Sequence, residues 1–253
     1  MSDEVLVEYA GSTIIITINR PSAKNAINRA VTDGVAAAIE ELEARADLTV
    51  GILTGAGGTF SAGMDLRAFL AGEDLEHPRG LAGITLQPPC KPLIAAVEGW
   101  ALAGGCEIAL ACDLIVATDE AKFGIPEVKR SLVAGGGGLL RLPRRIPSAI
   151  AMEIALTGDP LTAEQAHRYG LVNELTEPGG ALAGARALAD RIAANGPLAV
   201  AATKEIVSKA LDWTIEEGFE KQGPIMMPVF ASEDAREGAT AFTEKRAPVW
   251  KSR

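Results

Sequence analysis

Histidine, cysteine and aromatic side chains are all scarce in this chain. Two histidines (His77, His167), three cysteines (Cys90, Cys106, Cys112) and 4% aromatic residues stand among 253 positions. A nucleophilic triad or a histidine zinc site would have to use one of those two histidines. Neither has a supporting motif nearby, so surface or helix-packing roles are expected for both. The cysteines are odd in number and lack paired CxxC spacing, which reads as reduced core thiols in a cytosolic protein. Positive charge is also in deficit. Lys+Arg 24 against Asp+Glu 33 leaves a net charge of -9, so the chain as a whole offers no basic face for a nucleic-acid backbone. No uncharged run reaches the roughly 18 residues that span a bilayer. The opening Met-Ser-Asp-Glu-Val lacks the basic and then apolar pattern of a leader. A cytoplasmic protein without nucleic-acid or membrane partners is the expectation.

What the chain does have is apolar bulk and glycine. With 48% hydrophobic residues it can bury a substantial core, which excludes intrinsic disorder. Its length is near the limit for one core, so a single unit is expected. Val5-Leu-Val-Glu8 and Thr13-Ile-Ile-Ile-Thr-Ile18 predict a hairpin. Val31, Val35, Ala38, Ile39 and Leu42 recur at helical spacing and predict a long helix over about 28–46. Val50-Gly-Ile-Leu-Thr54 and Leu93-Ile-Ala-Ala-Val97 read as buried strands, each followed by a glycine-rich turn, the second at 99–105 with a helix starting near Cys106-Glu107. Leu114-Ile-Val-Ala117 is another strand, and Gly135-Gly-Gly-Gly138 a third glycine loop. Beyond Pro147 the pattern is helical, with only Leu171-Val-Asn-Glu-Leu175 as a plausible strand. Strands alternating with helices make the fold class α/β.

None of the glycine loops is a nucleotide cradle. Gly55-x-Gly57 meets Phe60 where GxGxxG requires glycine, and no loop ends in GK[ST]. Two strand-to-helix turns remain, Ser61-Ala-Gly-Met64 and Leu102-Ala-Gly-Gly105. Each places free backbone N–H groups at a helix start, where they serve either as plain turns or as donors to an anion or a developing oxyanion. Glu107 and Glu127 fall at helix starts, either because carboxylates favour positive helix ends or because they form an acid/base pair. Spacing alone leaves both readings open. Arg141, Arg144 and Arg145 are expected to be solvated or at an interface.

Four segments carry a family resemblance along nearly the whole chain. Asn19-Arg-Pro…Lys24-Asn-Ala-Ile27 resembles an NRP…NAL segment, and Phe60-Ser-Ala-Gly-Met-Asp-Leu66 resembles an F-x-A-G-x-D-L turn. The 97–113 block resembles G-x-A-x-G-G-G-x-E-L-A…D with Ala103 in place of one glycine, and Phe123-Gly-Ile-Pro-Glu-Val128 is similar to F-x-x-P-E. On these the chain is identified as a member of the enoyl-CoA hydratase/isomerase (crotonase) superfamily. Its end, from Ser232-Glu-Asp-Ala-Arg-Glu-Gly to Trp250, resembles members that include carnitinyl-CoA dehydratases.

The resemblance implies a spiral of ββα units over 1–195 and a C-terminal helical assembly region over 196–253 of the same unit, forming a homotrimer or a hexamer of two trimers. It implies an oxyanion hole from the N–H groups of Met64 and Gly104, and catalytic glutamates at Glu107 and Glu127. Many relatives keep one or neither glutamate, so keeping both points to hydration of a 2-enoyl-CoA. Gly135 matches a loop that helps hold the water. Lys24, Ala62, Phe242 and Lys245 match coenzyme A contacts, the last two made either from a neighbouring subunit or from the same one, with a solvated basic tail as the other reading. No metal or redox cofactor is implied, and coenzyme A enters as part of the substrate. Alternatives are a specialised hydratase (crotonobetainyl-CoA or a steroid side-chain thioester), a Δ3-Δ2 isomerase, or a catalytically silent or RNA-binding relative. Ala103 is expected to narrow the oxyanion turn. Ser131 and Ala134, where relatives often have Gly and Pro, put acyl preference more than reaction type in question.

Overall fold

The computed structural model describes residues 3–253. Strands β1 (Val5–Ala10) and β2 (Thr13–Ile18) form the expected hairpin around Gly11, whose φ of 58° suits glycine. Helix α1 (Arg29–Ala44) follows, with Val31 N–H donating to the Asn28 side chain at 2.9 Å as its N-cap. Next come β3 (Val50–Gly55), α2 (Leu66–Leu70), β4 (Leu93–Val97), β5 (Trp100–Leu102), α3 (Gly104–Ala111), β6 (Leu114–Thr118) and β7 (Lys122–Gly124). A 3-10 turn at Pro126–Arg130 leads to α4 (Gly138–Arg145), α5 (Ser148–Thr157), β8 (Leu161–Thr162), α6 (Ala163–Arg168), β9 (Glu174–Thr176) and α7 (Ala181–Ala193). Helices α8 (Pro197–Ala210), α9 (Ile215–Phe230) and α10 (Glu233–Glu244) complete the chain.

The large sheet runs β1-β2-β3-β4-β6-β9, parallel except for its first pair, with Leu53 opposite both Ile16 and Ala95. Its inner strands are continuous apolar runs because both faces are covered. Alternate side chains sort the core in two. Ile14, Ile16, Leu53, Ala95 and Ile115 pack with α1 and α3, whereas Ile15, Ile52, Ile94 and Val116 meet the alanine face of α7 (Ala181, Ala185, Ala189). A small second sheet runs β5-β7-β8. The chain leaves a strand of the large sheet, adds a short strand to the small one and then turns into a helix. The β4–β5–α3 stretch does so, and β3 begins the same path, with Ser61 bridged to Ala101.

Several expectations are corrected. The segment 99–105 is not turn throughout but contains β5, because Trp100–Leu102 pairs with β7. The strand anticipated at 171–175 lies at Glu174–Thr176. Cys90 is exposed, while Cys106 and Cys112 are buried and all three are free. His167 does pack its own helix end, with Nδ1 at 3.0 Å from the Val172 carbonyl.

The segment 196–253 is built differently. No residue of α8 or α9 is buried. Lys204 on α8 reaches the core, donating to Asp113 at 2.6 Å and to the Lys91 carbonyl at 2.9 Å. Lys91 in turn donates to the Leu42, Arg45 and Leu48 carbonyls, at 2.7, 2.6 and 2.7 Å, closing the C-terminal end of α1. Trp250 lies against Gly196 and Gly238 and donates from Nε1 to the Ala194 carbonyl at 3.0 Å. No described helix is long and apolar enough to cross a membrane.

Candidate active site

Two turns bring backbone donors together at the foot of one cavity. The first is held by the 20–27 segment. Buried Asn25 donates to the Thr59 and Ala56 carbonyls at 2.6 and 2.9 Å, and the Ser61 hydroxyl donates to the Asn25 carbonyl at 2.8 Å. Ile27 then bridges residues 63 and 65: its N–H donates to the Gly63 carbonyl at 2.8 Å and its carbonyl accepts from Asp65 N–H at 2.9 Å. Because successive N–H groups of extended chain point to opposite sides, that bridge turns the Met64 N–H away from Ile27. The Asp65 side chain caps α2 and meets Arg20 at 2.9 Å, so the first turn is anchored at both ends.

The second turn is Ala103-Gly104, where α3 begins. The Gly104 N–H is one of the donors every helix start leaves without an intrahelical partner. Among the described residues neither Met64 N–H nor Gly104 N–H donates to a protein acceptor. The turns touch back to back. A Cβ on Gly63 would lie 2.7 Å from the Gly104 nitrogen, and one on Gly104 would lie 3.3 Å from the Met64 nitrogen. Ala103 has φ 51° and ψ -130°, a conformation normally left to glycine.

Glu107, on the first turn of α3, is 3% exposed. Its Oε1 accepts from the Gly138 N–H at 2.9 Å. Cβ atoms on Gly136 and Gly138 would stand 2.7 Å from its Oε2 and 3.0 Å from its Cγ, so the carboxylate fits only because those positions are bare. Glu127 sits in the Pro126–Arg130 turn, half-buried, with its Oε2 buried and unpaired. Burial pushes both carboxyls above the usual carboxylate range. Glu107 raises Glu127 further, while the Gly138 and Gly136 amides and the Arg141 charge pull Glu107 back. Two coupled acids of this kind resist losing both protons at once.

All four groups line one cavity of about 940 Å³. Ala62, Ala103 and Gly135 also line it, and Leu66, Phe69, Leu81, Leu86 and Leu132 make much of its wall apolar. Such a chamber can stabilise an oxyanion on two amides, move a proton with two carboxyls and hold an apolar chain alongside.

The structure therefore gathers Met64, Gly104, Glu107, Glu127, Gly135 and Ala62. Lys24 is exposed and sits beside Ala62, whose N–H donates to the Lys24 carbonyl at 3.0 Å. Phe242 and Lys245 are not brought to this cavity. Both are exposed on or just past α10, which the Trp250 contacts hold against the 194–196 segment. Of the 135–138 loop, Gly138 and Gly136, rather than Gly135, contact Glu107. Arg141 and Arg145, expected to be solvated or at an interface, are instead part-buried against their own chain. Arg141 donates to the Thr85 carbonyl at 2.6 Å and the Gly136 carbonyl at 3.3 Å, and Arg145 donates to the Cys112 carbonyl. Only Arg144 is exposed, paired with Asp212 at 2.7 Å. Sequence reasoning missed Gly136, Gly138 and Arg141. A run of four glycines carries no mark of which amide points where, and only the i, i+4 spacing of Arg141 and Arg145 hints at a shared inward face.

The chain is similar to known proteins along nearly its whole length. Residues 8–253 match the family described as enoyl-CoA hydratase/isomerase. The crystal structure of enoyl-CoA hydratase EchA1 from Mycobacterium marinum is 61% identical, with full coverage of both chains and a TM-score of 0.98. That of an enoyl-CoA hydratase from Mycobacterium tuberculosis H37Rv is 60% identical, again with full coverage and a TM-score of 0.98. Among curated relatives, a carnitinyl-CoA dehydratase from Salmonella arizonae is 43% identical over 99% of both chains. Enoyl-CoA hydratase EchA19 from Mycobacterium tuberculosis is 42% identical over 99% of this chain and 97% of its own.

Proposed function

The chain belongs to the enoyl-CoA hydratase/isomerase family, and from that premise we propose that it is a hydratase, adding water reversibly and syn across a 2-enoyl-CoA to give the 3-hydroxyacyl-CoA. The observation that carries this reading is the meeting of two buried carboxyls, Glu107 and Glu127, with two unengaged amides in one cavity. As the water oxygen bonds to C3, electron density moves through C2 onto the thioester oxygen. The Met64 and Gly104 N–H groups meet that charge, and losing one such donor costs about 3 kcal/mol. Glu107, ionised and steadied by the Gly138 amide, takes up the water proton. Glu127, protonated because it is buried and faces a second carboxyl, delivers its proton to C2. Gly135 contributes to the wall beside the water. Run backwards, the same pair dehydrates the hydroxyacyl thioester.

Coenzyme A is part of the substrate in this reading. Ala62 on the cavity wall and the exposed Lys24 beside it would contact its anionic half. Phe242 and Lys245 would act on a neighbouring subunit's cavity, in a homotrimer or a hexamer of two trimers. The apolar residues left exposed on α9 support such an assembly. An ordinary 2-enoyl group is favoured over a carnitine-type one because the relatives at about 60% identity are enoyl-CoA hydratases.

The test is the loss of enoyl-thioester absorbance with crotonyl-CoA, longer 2-enoyl-CoAs and crotonobetainyl-CoA. Glu107→Gln and Glu127→Gln, checked for folding, would run alongside. Turnover abolished by either change is the expected result. Turnover of crotonobetainyl-CoA alone would make it a specialised hydratase. Binding without turnover of any 2-enoyl-CoA would overturn the hydratase reading.

A further inference from the structure

Arg141 is half-buried on α4 and among the described residues has no carboxylate within salt-bridge distance; its hydrogen bonds go to two backbone carbonyls on separate segments. One is Thr85, in the uncharged 81–86 wall of the cavity, at 2.6 Å. The other is Gly136, at 3.3 Å, in the loop whose amides face Glu107. Room for this fork is provided by Gly137, where a Cβ would collide with the Arg141 Nη1 and where φ is 95°.

Resting on the hydratase reading, we propose that Arg141 is a positioning residue: it ties the Thr85 wall to the Gly136 carbonyl, and so keeps the amides of the 136–138 loop aimed at the Glu107 carboxylate. A planar guanidinium can bridge two carbonyls on different segments, whereas an ammonium reaches them only as a point charge. Arg145 offers the contrast. It lies one turn on, and its hydrogen bond goes to the Cys112 carbonyl at the far end of α3, away from the carboxylate.

The groups facing Glu107 are Glu127 from the 126–130 turn, Arg141 from α4 and the Cys106 thiol beside it on α3. Burial pushes that thiol up to about 12, so it stays neutral. Burial drives the Glu107 pKa upward, opposed by the Gly138 and Gly136 amides and, among the charged side chains of the described residues, by Arg141. Without Arg141 the loop amides lose their anchor and one of the influences that hold the rise in check is gone. Glu107 then holds its proton to higher pH and is less available as a base.

Arg141→Met and Arg141→Lys are compared with the wild type, with Arg145→Lys as the structural control. One readout needs no turnover: the infrared carboxyl band that disappears in Glu107→Gln, followed through a pH titration. That band is expected to persist to higher pH in Arg141→Met, by a smaller margin in Arg141→Lys, and to stay unmoved in Arg145→Lys. The acidic limb of kcat should move the same way, with kcat at neutral pH down roughly 10- to 100-fold and KM little changed. If Arg141→Met does not fold, Arg141→Lys carries the comparison. A Glu107 band titrating as in the wild type, with activity lost only in step with folded protein, would overturn the proposal. A shifted band in an enzyme that hydrates no 2-enoyl-CoA would instead sink the hydratase reading and leave the positioning role standing.

Discussion

Helices α1 and α9 are each sixteen residues long, yet seven residues of α1 are buried and none of α9. The stripe of α1 (Val31, Val35, Ile39, Leu42) meets the sheet of its own chain. The apolar residues of α9 do not: Ile215, Phe219, Met227 and Phe230 are all well exposed. Helix α9 also carries Pro224 and Pro228 inside it, each of which removes a ladder donor. Its Thr214–Glu217 capping box helps, but a helix of this length is marginal without packing. The same apolar spacing thus does two jobs. In α1 it builds the chain's own core, and in α9 it is left facing outward, while no α9 residue lines the cavity that holds Glu107 and Glu127.

The sharpest way to test that division is to remove the chemistry alone. Glu107→Gln should lower hydration by about 10²- to 10⁴-fold while sedimentation shows an unchanged assembly. The same variant has a pH signature. Because burial raises the Glu107 carboxyl pKa, the native chain keeps a proton that the unfolded chain has released. That contribution is full below the ordinary carboxylate range and is lost as pH rises through the raised value. Glu107→Gln should therefore gain stability relative to the wild type as pH rises above the ordinary carboxylate range, as denaturant titrations would read.

A core truncation comes next. Ile39→Ala in α1 should cost about 2–5 kcal/mol in denaturant unfolding. Phe219→Asp on α9 loses no packing within the chain. If it nonetheless dissociates the assembly, at a cost of about 2 kcal/mol, the exposed stripe is an interface. An unchanged sedimentation coefficient would break the comparison. The smallest effect belongs to Ala103→Gly. Relief of its backbone strain, less the greater freedom glycine has when unfolded, should leave a gain of about 1 kcal/mol, seen as a small rise in Tm.

Much of the large sheet was legible in the sequence because 13–18, 50–54, 93–97 and 114–117 are uncharged runs dominated by apolar, largely β-branched residues. The small sheet was not. Its strands have three, three and two residues, too few for a period to show, and β5 hides inside a glycine turn. Glu107 and Glu127 were identifiable by resemblance, but nothing in their spacing shows that they converge. The arginines misled because a cluster in sequence is scattered on a helix. Arg144 turns out to Asp212, while Arg141 and Arg145, four residues apart, turn in.

The ammonium of Lys91 that closes the end of α1 comes from 43 to 49 residues further along the chain. A nascent chain therefore leaves those carbonyls without this donor until residue 91 has cleared the ribosome. Only then do the Leu42, Arg45 and Leu48 carbonyls find their donor, just as β4 becomes free to pair with β3. The donor that completes the helix end and the strand that widens the sheet thus sit side by side in the sequence.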